Sequence, residues 1–299
     1  MSDALEATGL GKRYGRSWGL RDCSLALPRG HVAALVGPNG AGKTTLLKLA
    51  AGLLRPTTGG VRVFGAAPGR PESLPGTGYV GQETPLYLGF TVADHLEFGR
   101  RLNPGWDGEA ARARLASLDL PLDRRAGDLS GGQRAQVALT MALAKRPRLL
   151  LLDEPVATLD PLARREFLST LMGSVADQGV TVVLSSHLIA DLEHRCDYLI
   201  VLSASRVQVL GEVDQLLAEH RLITGPRADA ERIAGVDAVV QASHGERQTT
   251  ALVRARGPIA DPAWTARDVG LEELVLAYLA EPDAGTLPGP HRERPGSVA

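Results

Sequence analysis

One run of eight residues, Gly37-Pro38-Asn39-Gly40-Ala41-Gly42-Lys43-Thr44, has the spacing G-x-x-x-x-G-K-[ST] of a phosphate-cradling loop. Glycines at 37, 40 and 42 let the backbone turn tightly, so that successive N–H groups point inward at an anion. Lys43 brings an ammonium within reach of terminal phosphates. Thr44 brings a hard hydroxyl oxygen suited to a Mg2+ ion that stays largely hydrated. The flanks are those such a loop requires. Residues 31–36 are a short apolar run of buried-strand type, and residues 43–50, opening Lys43-Thr44-Thr45, read as a helix closed by Gly52. The helix N-terminus adds its partial positive charge. Strand, glycine loop and helix together imply that the chain binds a nucleoside triphosphate, against the plainer reading of an ordinary glycine-rich turn.

Two further runs carry chemistry. Leu149-Leu150-Leu151-Leu152-Asp153-Glu154-Pro155 sets two carboxylates at the end of a buried strand, where the metal and the terminal phosphate of a loop-bound nucleotide belong. One acid can serve Mg2+ and the next can serve water. Upstream, Leu129-Ser130-Gly131-Gly132-Gln133 opens a helix, with two glycines that admit an anion close to the backbone. One nucleotide cannot easily use both glycine loops, so the second is expected to serve a nucleotide held by another copy or partner. Taken alone, it would be a Ser-capped helix start.

With LSGGQ between phosphate loop and acidic strand, the chain resembles the ATP-binding-cassette (ABC) ATPases over residues 4 to about 218. The resemblance implies further roles, residue by residue. Tyr14 matches the aromatic that stacks on adenine, and Gln82, in Tyr79-Val80-Gly81-Gln82-Glu83, matches the glutamine that contacts Mg2+ or water. Thr158-Leu159-Asp160 matches the loop that crosses the dimer interface, with Asp160 as its acid. His187 matches the switch histidine that contacts the γ-phosphate. Two departures stand out. Ala157-Thr158 replaces the more frequent Ser-Gly, and the helix after Gln133 lacks the family's frequent arginines. Neither removes a catalytic group. The resemblance thus implies ATP and Mg2+ as cofactors and Glu154, His187, Gln82 and Lys43 as catalytic residues. It implies Thr44, Gln82 and Asp153 as metal ligands. It also implies nucleotide contacts from Tyr14, Gly37, Pro38, Asn39, Gly40, Ala41, Gly42, Lys43, Thr44 and Thr45, and across the dimer from Ser130, Gly131, Gly132, Gln133 and Asp160.

The elements that must position these groups read as α/β. Short strands are expected at residues 5–9, 24–27 and 61–64, and continuous apolar runs at 149–152 and 180–184 have the character of parallel strands covered on both faces. Helical spacing marks 92–102, 109–118 and 133–145, a helical insert over about 92–146. The expected fold is a P-loop NTPase of ABC type over residues 1–220, with a parallel core sheet, an antiparallel β subdomain and a helical signature subdomain. Residues 221–280 form a small α+β appendage, with a hairpin (238–243 and 249–254) and a helix (271–280). Residues 281–299, with prolines at 282, 288, 290 and 295, are too polar and proline-rich to form a core.

Composition narrows the partners. Lys plus Arg number 33 against 34 Asp plus Glu, which gives no basic excess of the kind that marks a nucleic-acid binder. The two cysteines, Cys23 and Cys196, have no metal-ligand spacing and fit a reducing compartment. No run approaches the roughly 18 apolar residues of a membrane span, and the N-terminus lacks a signal pattern. The resemblance therefore implies a cytoplasmic, peripheral subunit that borrows a separate transmembrane permease and pairs with a second nucleotide-binding domain. The stretch Pro85-Leu86-Tyr87-Leu88-Gly89-Phe90 is a candidate docking surface for that permease. The overall cast, including residues 186–193 and 271–279, is similar to bacterial drug and antibiotic export ATPases. A soluble ABC ATPase of translation, repair or iron–sulfur assembly, and a purely regulatory nucleotide-binding module, are the alternatives. Two cassettes or a long coiled coil would mark the former; absence of turnover would mark the latter.

Overall fold

The computed structural model describes residues 2–157, 159–187, 189, 192–193, 195–227, 233–255, 257–259 and 261–282. The tail from 283 onward, and Thr158, Leu188, Ala190 and Asp191 of the sequence reading, lie outside them.

The chain opens with two long antiparallel strands, β1 (Leu5–Tyr14) and β2 (Ser17–Leu27), then β3 (Val32–Val36) and the phosphate loop. Helix α1 (Lys43–Ala50) leads out of the loop and stops at Gly52, whose φ of 75° is the left-handed conformation that ends helices. After β4 (Thr58–Val63) and β5 (Thr77–Val80) comes a helical stretch: α2 (Val92–Leu102), α3 (Gly108–Ser117) and α4 (Gly131–Ala144). The frame resumes with β6 (Leu149–Asp153), α5 (Pro161–Gln178), β7 (Thr181–Ser185), β8 (Tyr198–Ser203), β9 (Arg206–Glu212) and α6 (Val213–Glu219). The last part holds β10 (His220–Pro226), β11 (Val236–His244), β12 (Gln248–Ala255), β13 (Thr265–Arg267) and α7 (Leu271–Ala280).

A six-stranded sheet in the order β5-β6-β7-β3-β8-β9 forms the centre, parallel except for the antiparallel edge strand β9. Its middle strands alternate between two cores, as strand geometry demands. Val32, Ala34, Val36, Leu150 and Leu152 face α4 and α5, while Ala33, Leu35, Leu149 and Leu151 face α1 and the sheet β2-β1-β4. Both faces are covered, which is why β3, β6 and β7 read as unbroken apolar runs. Helices α2, α3 and α4 bury a separate cluster around Leu96, Leu115 and Val137. The fold is that of an ABC ATPase: a parallel core sheet, an antiparallel subdomain and a helical subdomain.

Several elements differ from expectation. The first two strands extend well beyond residues 5–9 and 24–27, because β1 and β2 pair with each other from Leu5↔Leu27 to Tyr14↔Ser17. The strand expected at 61–64 ends at Val63, since Phe64 turns at a φ of 49°. Helix α5 and strands β5, β8 and β9 were not foreseen. Beyond residue 220, β10 to β13 form a four-stranded antiparallel sheet in the order β11-β12-β10-β13, with its own cluster around Ile223, Val253 and Trp264. Helix α7, however, belongs to the main core: Leu271, Leu274, Val275 and Tyr278 pack in one cluster with Leu199, Val209 and Leu216. Gln208 donates to the carbonyls of Tyr278 (2.7 Å) and Glu281 (2.8 Å), and the buried His220 bridges Leu216 O and the Tyr278 hydroxyl. Cys23 and Cys196 are buried free thiols.

Candidate functional site

The C-terminal ends of β3, β6 and β7 lie side by side in the sheet, so the loops leaving these three strands share one edge. After β3 comes the phosphate loop. Its last glycine, Gly42, has a φ of 106°, and a Cβ there would run into the Gly19 carbonyl oxygen. A side chain is thus excluded twice over, by conformation and by space. Lys43 is 6% exposed, and its ammonium donates to the carbonyls of Gly37 (2.8 Å) and Pro38 (3.3 Å).

Strand β6 ends at Asp153, and the turn that follows it carries Glu154. Asp153, 1% exposed, accepts hydrogen bonds from Thr44 Oγ1 (3.1 Å), Ser185 Oγ (3.1 Å) and Tyr79 OH (3.4 Å). Burial, and then the charge of Asp153, push the Tyr79 phenol up from its ordinary pKa, so it stays a neutral donor. Glu154 leaves the strand at a φ of 47°, an uncommon conformation for a residue with a side chain. Its backbone N–H donates to Ser185 Oγ (2.9 Å). That turn places its carboxylate 3.4 Å from Lys43 Nζ on one side and 3.4 Å from His187 Nδ1 on the other.

A cavity of about 570 Å3 opens above these groups, lined by Gly19, Asn39, Gly40, Gly42, Lys43, Thr44, Thr45, Gln82, Glu154, Ala157 and His187. Asp153 lies beneath it, behind Thr44. Tyr14 sits at its rim, half exposed: a Cβ on Gly19 would be 2.8 Å from the Tyr14 ring and 3.2 Å from Thr45 Oγ1, so ring and helix start flank one glycine. Among the described residues no cluster of three His, Cys, Asp or Glu side chains could hold a metal alone. The oxygens present, Thr44 hydroxyl and Asp153 carboxylate with Gln82 nearby, fit a hydrated Mg2+ that takes its remaining ligands from phosphate and water.

Ser130, Gly131, Gly132, Gln133 and Asp160 are not part of this lining. Ser130 caps α4 in a reciprocal pair with Gln133: Gln133 N donates to Ser130 Oγ (3.2 Å) and Ser130 N to Gln133 Oε1 (3.0 Å). Gly131 has open space around the position of a Cβ. Asp160 caps α5, accepting from the N–H groups of Leu162 and Ala163 at 3.0 Å each. Both are formed and exposed, away from their own chain's cavity. Tyr79 and Ser185 are the residues that sequence reasoning missed; the only signal for Ser185 was its place at the end of an apolar run.

The ABC transporter family profile matches residues 20–157. The thiamine import ATP-binding protein of Shigella flexneri serotype 5b (strain 8401) is 35% identical over 221 residues, covering 71% of this chain and 91% of that one. The chain belongs to the ABC transporter family. The sulfate/thiosulfate import ATP-binding protein of Brucella melitensis biotype 1 is 37% identical over 223 residues, 71% of this chain, which spans only 62% of that relative's length. Among solved structures, an ATP-binding subunit of an ABC transporter superposes with a TM-score of 0.64 at 28% identity, over 72% of this chain and 92% of that one. Both named relatives are import ATP-binding proteins, and they give no support to the expected likeness to the export group.

Proposed function

We propose that this chain is the ATP-binding and ATP-hydrolysing subunit of an ABC transporter, working on a separate membrane-spanning partner. The observation that carries the reading is the convergence of Lys43, Thr44, Gln82, Glu154 and His187 on one cavity, with Asp153 locked to Thr44 beneath it. Backbone N–H groups of the glycine loop and the Lys43 ammonium hold the phosphates, and Tyr14 stacks on the base. Asp153, Thr44 and Gln82 would hold Mg2+, which would offset charge on the phosphate oxygens. Glu154 accepts a hydrogen bond from the attacking water as its oxygen bonds to the γ-phosphorus and the ADP oxygen leaves; His187 holds the γ-phosphate. Glu154 lies between Lys43 and His187, the two groups that also face the phosphate, so a bound nucleotide shares both with it.

Because Ser130 to Gln133 and Asp160 stand formed but remote from the cavity, a second nucleotide-binding domain completes each site, and ATP joins the two. Hydrolysis removes that bridge and opens the dimer. No described helix is long and apolar enough to cross a membrane, and a cytoplasmic position at the inner face of the membrane, through the permease, follows from the reading. Tyr87 (58% exposed), Leu88 (60%) and Phe90 (40%) present an apolar surface beside Gln82, which favours the docking role over inward packing. Direction resides in the partner. The names of the two relatives favour import.

The test is Glu154→Gln, which keeps ATP binding, slows turnover about a hundredfold or more and traps a closed dimer, against Lys43→Ala, which loses binding. Normal turnover in Glu154→Gln defeats the catalytic assignment. With the trapped variant and ATP, purification from gently solubilised cells recovers a stoichiometric multi-spanning protein; soluble partners alone would favour a soluble ABC ATPase.

A further inference from the structure

Three cavities meet at Arg146, on the edge of the core sheet opposite the phosphate loop. The largest, about 490 Å3, is lined by Arg29, Phe64, Arg146, Arg148, Gln178 and Thr181 among others. A second of about 360 Å3 shares Arg146 and Arg148 and adds Lys145. A third of about 130 Å3 shares Arg146 and Gln178 and adds Arg114. Arg29 precedes β3, Arg148 directly precedes β6, and Thr181 opens β7. In parallel strands these starts share one edge, about 15 Å from the strand ends that carry the nucleotide cavity.

Charge gathers here in a chain whose formal net charge is −1. Arg146 is neutralised by Asp107, to which its Nε donates at 3.0 Å. Arg29 and Arg148 are not neutralised: both guanidinium groups lie over the same Phe64 ring, at 5.0 and 3.9 Å from its centroid. Among the described residues Arg29 donates to the carbonyl and hydroxyl of Ser2, and no carboxylate of theirs lies within ion-pair distance of Arg29 or Arg148. Arg114 adds a part-buried cation bound only to the neutral oxygens of Thr140, Ser174 and Gln136. Two like charges lining one cavity repel each other, and an anion bound in that cavity offsets the repulsion. The planar guanidinium fork matches phosphate oxygens in two-point contact. We propose that this cavity is a second anion site, separate from the phosphate loop, for a small soluble phosphate-bearing ligand held by Arg29 and Arg148 with Gln178 as a neutral donor.

The test uses the full chain carrying Lys43→Ala, which disables the phosphate loop and makes the result independent of the nucleotide reading. Inorganic pyrophosphate is titrated calorimetrically at low salt. One site is expected, with a raised thermal midpoint on binding. Adding Arg29→Gln and Arg148→Gln weakens binding at least about tenfold, while Arg247→Gln on the distant β11–β12 turn leaves it unchanged. Thermal unfolding without ligand checks that each variant is folded. No binding to the Lys43→Ala chain, or equal binding after the two Arg changes, overturns the proposal. Capture by phosphatidic-acid vesicles without pyrophosphate binding overturns it as well, because the ligand would then be a lipid headgroup.

Discussion

Ser185→Ala is the perturbation that most directly probes how the two acids are held. Its hydroxyl donates to the Asp153 carboxylate at 3.1 Å and accepts the Glu154 N–H at 2.9 Å, in a site with no exposure at all. Removing a hydrogen bond to a charged group costs about 1.5–3 kcal/mol, and stranding the Glu154 N–H costs about 1–3 kcal/mol. Relaxation of the turn recovers part of this, so a net loss of about 2–4 kcal/mol of folding stability is expected. The functional effect should be unequal. Asp153 keeps Thr44 and Tyr79 as partners, so nucleotide binding changes little. Glu154 loses the anchor of a backbone already in the left-handed region, and its carboxylate is no longer aimed between Lys43 and His187. Steady-state hydrolysis should show kcat falling about tenfold, some 1.4 kcal/mol, with KM within about twofold. Denaturant unfolding measures the stability half of the argument. A variant as stable as the parent, or one whose KM rises while kcat holds, would refute the claim that Ser185 positions Glu154.

Gly42→Ala should abolish nucleotide binding in a folded protein, because its Cβ meets the Gly19 carbonyl oxygen and the residue needs a φ of 106°; equilibrium binding of a fluorescent ATP analogue checks this, and wild-type affinity would contradict it. The buried His220 has its pKa lowered from 6.5, chiefly by burial, so the unfolded chain takes up the proton more readily than the native one. Stability contributed by neutral His220 is complete above the unfolded value of 6.5 and is lost as pH falls below it. Unfolding midpoints measured between pH 7.5 and 5 should therefore drop more steeply in the parent than in His220→Gln; parallel curves would remove His220 from the account.

How much of this was legible depended on distance along the chain. The phosphate loop, the Ser130 cap and the acidic strand end were readable because each function is written in neighbouring residues. Tyr79 and Ser185 were not, since they reach Asp153 across 74 and 32 positions and only the register β5-β6-β7 brings them there. Helix α5 carried start and stop signals in Asp160-Pro161 and Gly179, but its buried Phe167, Leu168 and Leu171 sit among charged and small residues and mark no clean stripe. The exposed apolar stretch after Gln82 was visible as apolar residues, whereas which way they faced was decided by tertiary packing. The region after 220 was legible as strands and a helix. That its helix would join the main core was not, because Leu271, Leu274 and Tyr278 have the same spacing whichever surface they bury.

That shared core sets an order of events at the ribosome. The cassette's own strands and helices are all synthesised by residue 219, yet the surface around Leu199, Val209 and Leu216 is covered only when Tyr278 emerges. Roughly 60 residues must be added in between, which at bacterial and eukaryotic elongation rates leaves that apolar surface open for about 3–12 s. During that interval the nascent chain carries a nearly finished cavity on an unfinished body, and it is then that chaperones would meet it.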